Sequence, residues 1–187
     1  MKIGLFFGTF DPIHMGHVQI GLSLFKAYPV DQVWFVITPI SPFKMNQHLS
    51  SKEDRFNMVS LALEEYNNLI PSALEFELES PNYTCDTLRY IKSKYPNYQF
   101  TILMGGDNYL SINKWKDYQY ILDNFQICVY DRVGRGVSTD KSILHIEGKY
   151  LNVSSSHIRN NIASSSTDRF LNRKVLEYIQ RQSLYQK

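Results

Sequence analysis

Ten residues, Gly8-Thr9-Phe10-Asp11-Pro12-Ile13-His14-Met15-Gly16-His17, constrain this chain more than any others, because of what stands on either side of them. Before them lies a short apolar and aromatic run, Lys2 to Phe7, that reads as a buried strand; after them, His17 to Tyr28 can form a helix. Gly8 lets the backbone turn tightly and approach a ligand, Asp11 is expected to cap the helix, and Pro12 suits its first turn. A helix that starts at the carboxyl end of a strand presents unpaired N–H groups and a positive dipole end, which is a natural seat for phosphate. His14 and His17, three apart, would project from one helical face toward the same spot and could donate hydrogen bonds to phosphate oxygens gaining charge. A capped helix with one buried histidine, or a metal pair, would account for the same letters. No Cys or carboxylate cluster accompanies the two histidines, so no metal ligand is assigned among the protein's residues.

The rest of the chain repeats the alternation. Val33 to Thr38 reads as a second strand, Lys52 to Tyr66 as a helix, Leu74 to Glu77 as a strand and Asp86 to Lys94 as a helix. Phe100 to Met104, a helix near Asp117 to Asn124 and a strand at Ile127 to Tyr130 continue it. A polar segment, Val133 to Lys141, precedes a short strand at Ile143 to Ile146; Ser164 to Thr167 reads as a surface loop and Asn172 to Gln182 as a closing helix. This pattern predicts an α/β fold: a doubly wound, Rossmann-like parallel sheet with helices on both faces, binding its ligand beyond the carboxyl ends of the strands. At 187 residues a single domain, 1–187, suffices, with a helical C-terminal part from about residue 154.

Charge and composition exclude several classes. The net charge is +2 and the basic residues are scattered, so no nucleic-acid partner is expected, whereas a small phosphorylated ligand needs only a few placed cations. Cys85 and Cys128 are far apart and form neither a disulfide framework nor a zinc motif, which fits a reducing compartment. The first apolar run is too short to span a membrane and lacks a cleavage pattern, so a cytoplasmic protein with no membrane association is expected. No feature specifies an oligomeric state.

A second constellation stands near the C-terminus: Val153-Ser154-Ser155-Ser156-His157-Ile158-Arg159. Ser154, Ser155 and Ser156 can cap a helix and offer hydroxyl and N–H donors, and Arg159, one turn in, can make a bidentate contact to phosphate.

Together these strings resemble the HxGH nucleotidyltransferase superfamily, with GTFDPIHMGH as its signature and VSSSHIR similar to its I-S-S-T-x-I-R motif. The resemblance implies transfer of a nucleotidyl group from a nucleoside triphosphate, bound with Mg²⁺, directly to a phosphate oxygen of an acceptor. It assigns ATP binding to Gly8, Thr9, Phe10, His14, His17, Ser154, Ser155, Ser156 and Arg159, and catalysis to His14, His17, Lys44 and Arg159.

Four further strings resemble the nicotinate-nucleotide adenylyltransferases within that group. Pro39-Ile40-Ser41-Pro42-Phe43-Lys44 resembles a P-P-H-K loop and leaves Lys44 as a cation for phosphate. Ser51, Arg55 and Met58 match S-x-x-x-R-x-x-M. Asn82 to Leu88 resembles S-Y-T-x-D-T-L, bringing Tyr83 and Thr84 to the acceptor nucleotide, and Gly105 to Trp115 resembles G-x-D…W, with Asp107 for ribose hydroxyls and Trp115 as a platform for a pyridine ring. Arg132, after a strand, resembles part of an R-x-G stretch. Two residues depart from the pattern: Phe7 replaces a second Gly, and Phe43 replaces a His. The implied reaction is ATP plus nicotinate mononucleotide giving nicotinate adenine dinucleotide and pyrophosphate. Nicotinamide mononucleotide or phosphopantetheine as acceptor, use of CTP, or a non-catalytic nucleotide-binding regulator are the alternatives.

Overall fold

The computed structural model describes residues 1–44, 48–132, 143–148, 151 and 153–186. Its centre is one six-stranded sheet, all parallel, built from β1 (Lys2–Gly8), β2 (Gln32–Ile37), β3 (Leu69–Ser72), β4 (Gln99–Gly105), β5 (Gln126–Arg132) and β6 (Leu144–Gly148). The order across the sheet is β3-β2-β1-β4-β5-β6. Chain order reverses between β1 and β4, and a doubly wound sheet opens a crevice at such a point, beyond the carboxyl ends of its strands.

Among the described residues the α-helices between the strands are α1 (Met15–Ala27), α2 (Lys52–Leu63), α3 (Thr84–Lys94), α4 (Gly106–Leu110) and α5 (Tyr118–Asn124), and α6 (Ser155–Asn160) and α7 (Arg173–Arg181) follow the last strand. Strand side chains alternate between two cores. Phe6 of β1 and Phe35 of β2 pack with Leu24 of α1, Met58 of α2 and Val175 of α7, while Ile3 and Leu5 face Leu88 of α3 and Ile121 of α5. Helices therefore cover both faces of the sheet, as the alternation predicts.

Three local expectations fail in whole or in part. Leu74–Glu77 is a 3-10 helix, and the strand lies earlier, at Leu69–Ser72. Leu-Ile-Pro-Ser is poor strand material by composition, yet β3 is a sheet edge, where a proline with no N–H to offer is tolerated. The Ser164–Thr167 stretch lies at the surface, with Ser164, Ser165 and Ser166 exposed, but it is the start of a 3-10 helix, Ser165–Phe170, and Thr167 is fully buried. Nor does Asp11 cap α1, whose N-cap is His14, with Pro12 outside the helix. The polar segment 133–141 lies outside the described residues, as do the side chains of Lys44 and Arg132.

Candidate functional site

The signature turn carries the chain from β1 into α1 at the crevice. Thr38 N donates to Gly8 O at 2.9 Å, which extends the β1–β2 pairing into the turn. Phe10 adopts a left-handed backbone (φ 47) with its ring buried, and a Cβ on Gly8 would come within 2.8 Å of that ring. Glycine at position 8 is thus what lets Phe10 fold beneath the turn.

His14 and His17 do converge. Their rings stack with centroids 3.7 Å apart and 20° between planes. The backbone N–H of His14 donates to His17 Nδ1 at 3.3 Å. With Nδ1 accepting, the neutral imidazole of His17 carries its proton on Nε2, the tautomer that can donate to an oxyanion. Phe10 lies edge-on to the His17 ring at 5.2 Å. Gly16 between the two histidines has its own reason: a side chain there would meet His14 Nδ1 at 3.0 Å and Val153 at 3.3 Å.

The second constellation docks on the same turn. Ser154 is the N-cap of α6 and accepts from His157 N at 3.2 Å, as expected of a cap. Ser155 Oγ donates to Pro12 O (2.9 Å), and Arg159 donates to Asp11 O (2.6 Å) and Ser156 Oγ (3.2 Å). The three serines therefore have three separate roles, and Arg159 stands beside the signature histidines' turn.

Beyond the turn opens a cleft of about 390 Å³ lined by Gly8, Thr9, Tyr83, Thr84 and Trp115 together. Residues from two ends of the sequence argument, the signature and the acceptor strings, thus share one cavity. Both departures sit here too: Phe7 lines the cleft, and Phe43, 65% exposed, faces Trp115 with ring centroids 6.5 Å apart. Lys44 ends the 3-10 turn Pro42–Lys44 that carries Phe43. Asp107 lies in the first turn of α4, exposed, and it is Asn108 that lines the cleft. Thr84 opens α3, with Asp86 in its first turn.

Several residues at the site escape sequence reasoning. Asn82, 5% exposed, ties the Ile40 loop to the acceptor segment: its N donates to Ile40 O (3.0 Å), its Oδ1 accepts from Ile40 N (3.4 Å), and its Nδ2 donates to Glu75 O (3.1 Å). Glu75 accepts from the Thr87 hydroxyl at 2.7 Å, and burial pushes its carboxyl up to about 7, against the opposing pull of the Thr87 and Thr38 hydroxyls. Lys114 and Lys116 flank Trp115 and line the cleft, among whose described lining residues there is no Asp or Glu. Lys116 pairs with Asp86 at 2.8 Å, a bond that holds the Asp86 carboxyl below its ordinary range, and its ammonium lies 4.7 Å over the Tyr83 ring. Arg55, quoted only as part of a motif, is 2% exposed beneath the signature turn. A lone arginine inside the apolar face that holds Met58 and Val59 was the available signal.

Residues 5–161 match the family described as cytidylyltransferase-like. A Flavobacterium psychrophilum protein named "Probable nicotinate-nucleotide adenylyltransferase" is 42% identical, with all of both chains covered. A Bacillus cytotoxicus protein of the same name is 35% identical over 99% of this chain and 98% of its own. Among solved structures, the Plasmodium falciparum nicotinic acid mononucleotide adenylyltransferase complexed with NaAD superposes with a TM-score of 0.81 over 98% of this chain and 97% of its own, at 21% identity, and so shares the fold.

Proposed function

Because this chain belongs to the cytidylyltransferase-like family and, within it, to the nicotinate-nucleotide adenylyltransferases, we propose that it transfers the adenylyl group of ATP to nicotinate mononucleotide, releasing pyrophosphate and forming nicotinate adenine dinucleotide for NAD biosynthesis. The observation that carries the reading is the shared cleft, in which Gly8 and Thr9 of the signature and Trp115, Tyr83 and Thr84 of the acceptor strings line one cavity.

The acceptor's phosphate is already ionised, so the reaction needs positioning and charge neutralisation rather than a base. ATP lies over the signature turn. His17 donates from Nε2 to oxygens of the α-phosphate as they gain charge, with His14 stacked behind it, and Arg159 and the N-terminal turn of α6 hold the β and γ groups. Lys44 serves the same phosphates from the facing loop. Trp115 and Phe43 take the pyridine ring, for which a flat aromatic surface is a good platform. Asp107, exposed in the first turn of α4 next to Asn108 of the cleft lining, is the residue proposed for ribose hydroxyls.

Mg²⁺ is the divalent cation proposed to accompany the triphosphate, where it would be held mainly by phosphate oxygens and water, as is usual for this cation with nucleotides. When bound, it neutralises triphosphate oxygens. Of the two lysines that line the cleft beside Trp115, Lys116 is paired with Asp86, and it is Lys114 that supports an acid on the ring over an amide. Among the described residues no helix is long and apolar enough to cross a membrane; the use of ATP as substrate is what favours the cytoplasm.

The test is incubation of purified protein with ATP, Mg²⁺ and either nicotinate or nicotinamide mononucleotide, following pyrophosphate and dinucleotide together. Release with the acid, at least tenfold faster than with the amide and lowered about 10²–10³-fold by His17→Ala, is the expected result. Release only with phosphopantetheine or only from CTP would reassign the substrates, and ATP binding without any release would make the chain a regulator.

A further inference from the structure

One buried side chain ties together the segments on the signature side of the cleft, the turn after β1, the exit from β2 and the approach to α2, and it has no part in the transfer chemistry proposed for the site. Arg55 sits in the first turn of α2. Its Nε donates to Ser50 O at 3.0 Å, Nη1 to Thr9 O at 3.0 Å and to Thr38 O at 2.6 Å, and Nη2 to Pro39 O at 2.9 Å. Thr9 belongs to the signature turn, Thr38 and Pro39 to the exit from β2 that leads to Phe43 and Lys44, and Ser50 to the approach to α2. Four main-chain carbonyls from three segments thus converge on one planar cation.

The charge is balanced locally. Asp11, fully buried, receives the Tyr185 hydroxyl at 2.6 Å and the N–H of Ser50 at 3.4 Å. The Ser50 peptide is therefore held from both sides, its carbonyl by Arg55 and its N–H by Asp11. Burial lowers the affinity of Arg55 for its proton and the Asp11 carboxylate opposes that loss; a guanidinium stays charged regardless. The geometry also explains the residue type. A guanidinium carries five donors in a fixed fork, whereas an ammonium is a point donor on a flexible stem and cannot hold four carbonyls at these separations.

We propose that Arg55 is a positioning residue for the transfer reaction, fixing the signature turn against the Pro39–Lys44 loop and so setting the separation between the α-phosphate of the nucleotide and the attacking phosphate of the acceptor. This rests on the adenylyl-transfer reading. It gives the S-x-x-x-R-x-x-M string a function: Ser51 caps α2 by accepting from Asp54 N at 2.9 Å, Met58 anchors the helix in the core, and Arg55 is aimed between them at the two loops.

Arg55→Lys and Arg55→Ala, made in the full chain, test it by pyrophosphate release with ATP and nicotinate mononucleotide varied separately, beside thermal melting. At a temperature where the Lys variant is wholly folded, kcat should fall about 10²-fold, the scale expected when reacting groups are displaced by about 1 Å. Millimolar methylguanidine should restore activity to the folded Ala variant and should not help His17→Ala. A folded Lys variant within threefold of the wild-type kcat, a loss that only follows the unfolded fraction, or a folded Ala variant indifferent to methylguanidine would each overturn the proposal. A wild-type protein inactive with every acceptor would instead sink the adenylyl-transfer reading itself.

Discussion

The two walls of the cleft are held by different means. On the signature side the supporting groups are buried: Asp11, Phe10, Arg55 and His14 are all 5% exposed or less. On the acceptor side the turn carrying Trp115 is tied to α3 by Lys116–Asp86 and Arg89–Asp117, ion pairs whose side chains are 44% to 52% exposed. Buried hydrogen bonds leave an unsatisfied group when one partner is removed, whereas exposed ion pairs are screened by water and salt and contribute little. The first wall is therefore a rigid reference, and the second is adjustable. Changes to the first should appear as lost rate, and changes to the second as shifted affinity.

The largest effect should come from His17→Ala, which removes the donor proposed for the transition state from the rigid wall: a kcat lower by about 10²–10³, with the KM for either substrate little changed and the protein still folded. Parallel shifts in KM and kcat would break the contrast. Glu75→Gln sharpens it from the other direction, because Glu75 stands beneath the adjustable wall yet is itself buried. Below pH 4.5 its carboxyl is protonated both folded and unfolded; between there and about 7 only the unfolded chain releases its proton; above about 7 both have released it. Stability should accordingly decline as pH rises through that window, by up to about 3 kcal/mol, and level off beyond it. Urea denaturation at pH 4.5 and pH 8 should find that slope in the wild type and a flatter one in Glu75→Gln.

Trp115→Ala should raise the KM for nicotinate mononucleotide about tenfold, in line with the loss of roughly 1–1.5 kcal/mol of ring stacking, and leave the KM for ATP in place. A fall in kcat as large as that of His17→Ala would show that the acceptor wall is as rigid as the other. Smallest is Asp86→Asn, which frees Lys116: the melting midpoint should not move measurably, while the preference for acid over amide should rise or stay level. A clear loss of thermal stability would mean that this exposed pair supports the fold.

Sequence reading succeeded wherever chemistry is carried by a short contiguous string. The signature, the serine cap and the alternation of helices and strands all depend on neighbours in the chain, and the turn at Gly8–His17 follows from them. Reading failed where a partner is distant. Asp11 was expected to cap α1 because caps are local, but its carboxylate is taken by Tyr185, 174 residues away. β3 was missed since only its position at the sheet edge makes Leu-Ile-Pro-Ser acceptable, and Leu74–Glu77 was misread because its Leu-Glu-Phe-Glu alternation imitates a strand. The convergence of the Arg55 guanidinium on Thr9, Thr38, Pro39 and Ser50 is invisible to spacing, since its acceptors are main-chain carbonyls that any residue supplies.

The place of β1 between β2 and β4 also governs the order in which the molecule can assemble. β1 can pair early with β2, through Ile3 and Gln32, and β3 can then add at the edge, with α1 and α2 closing one face. On its other side Lys2 must wait for Gln99. During synthesis at a ribosome, Ile3 and Leu5 therefore emerge long before the second face is sealed by α3 and α5, and the slow event in refolding should be the long-range capture of β4 by β1, since distant strand pairings must repay a larger loop-closure entropy. The crevice in which the substrates meet is the seam of that last event, so the site comes into being only when the two halves of the sheet have found each other.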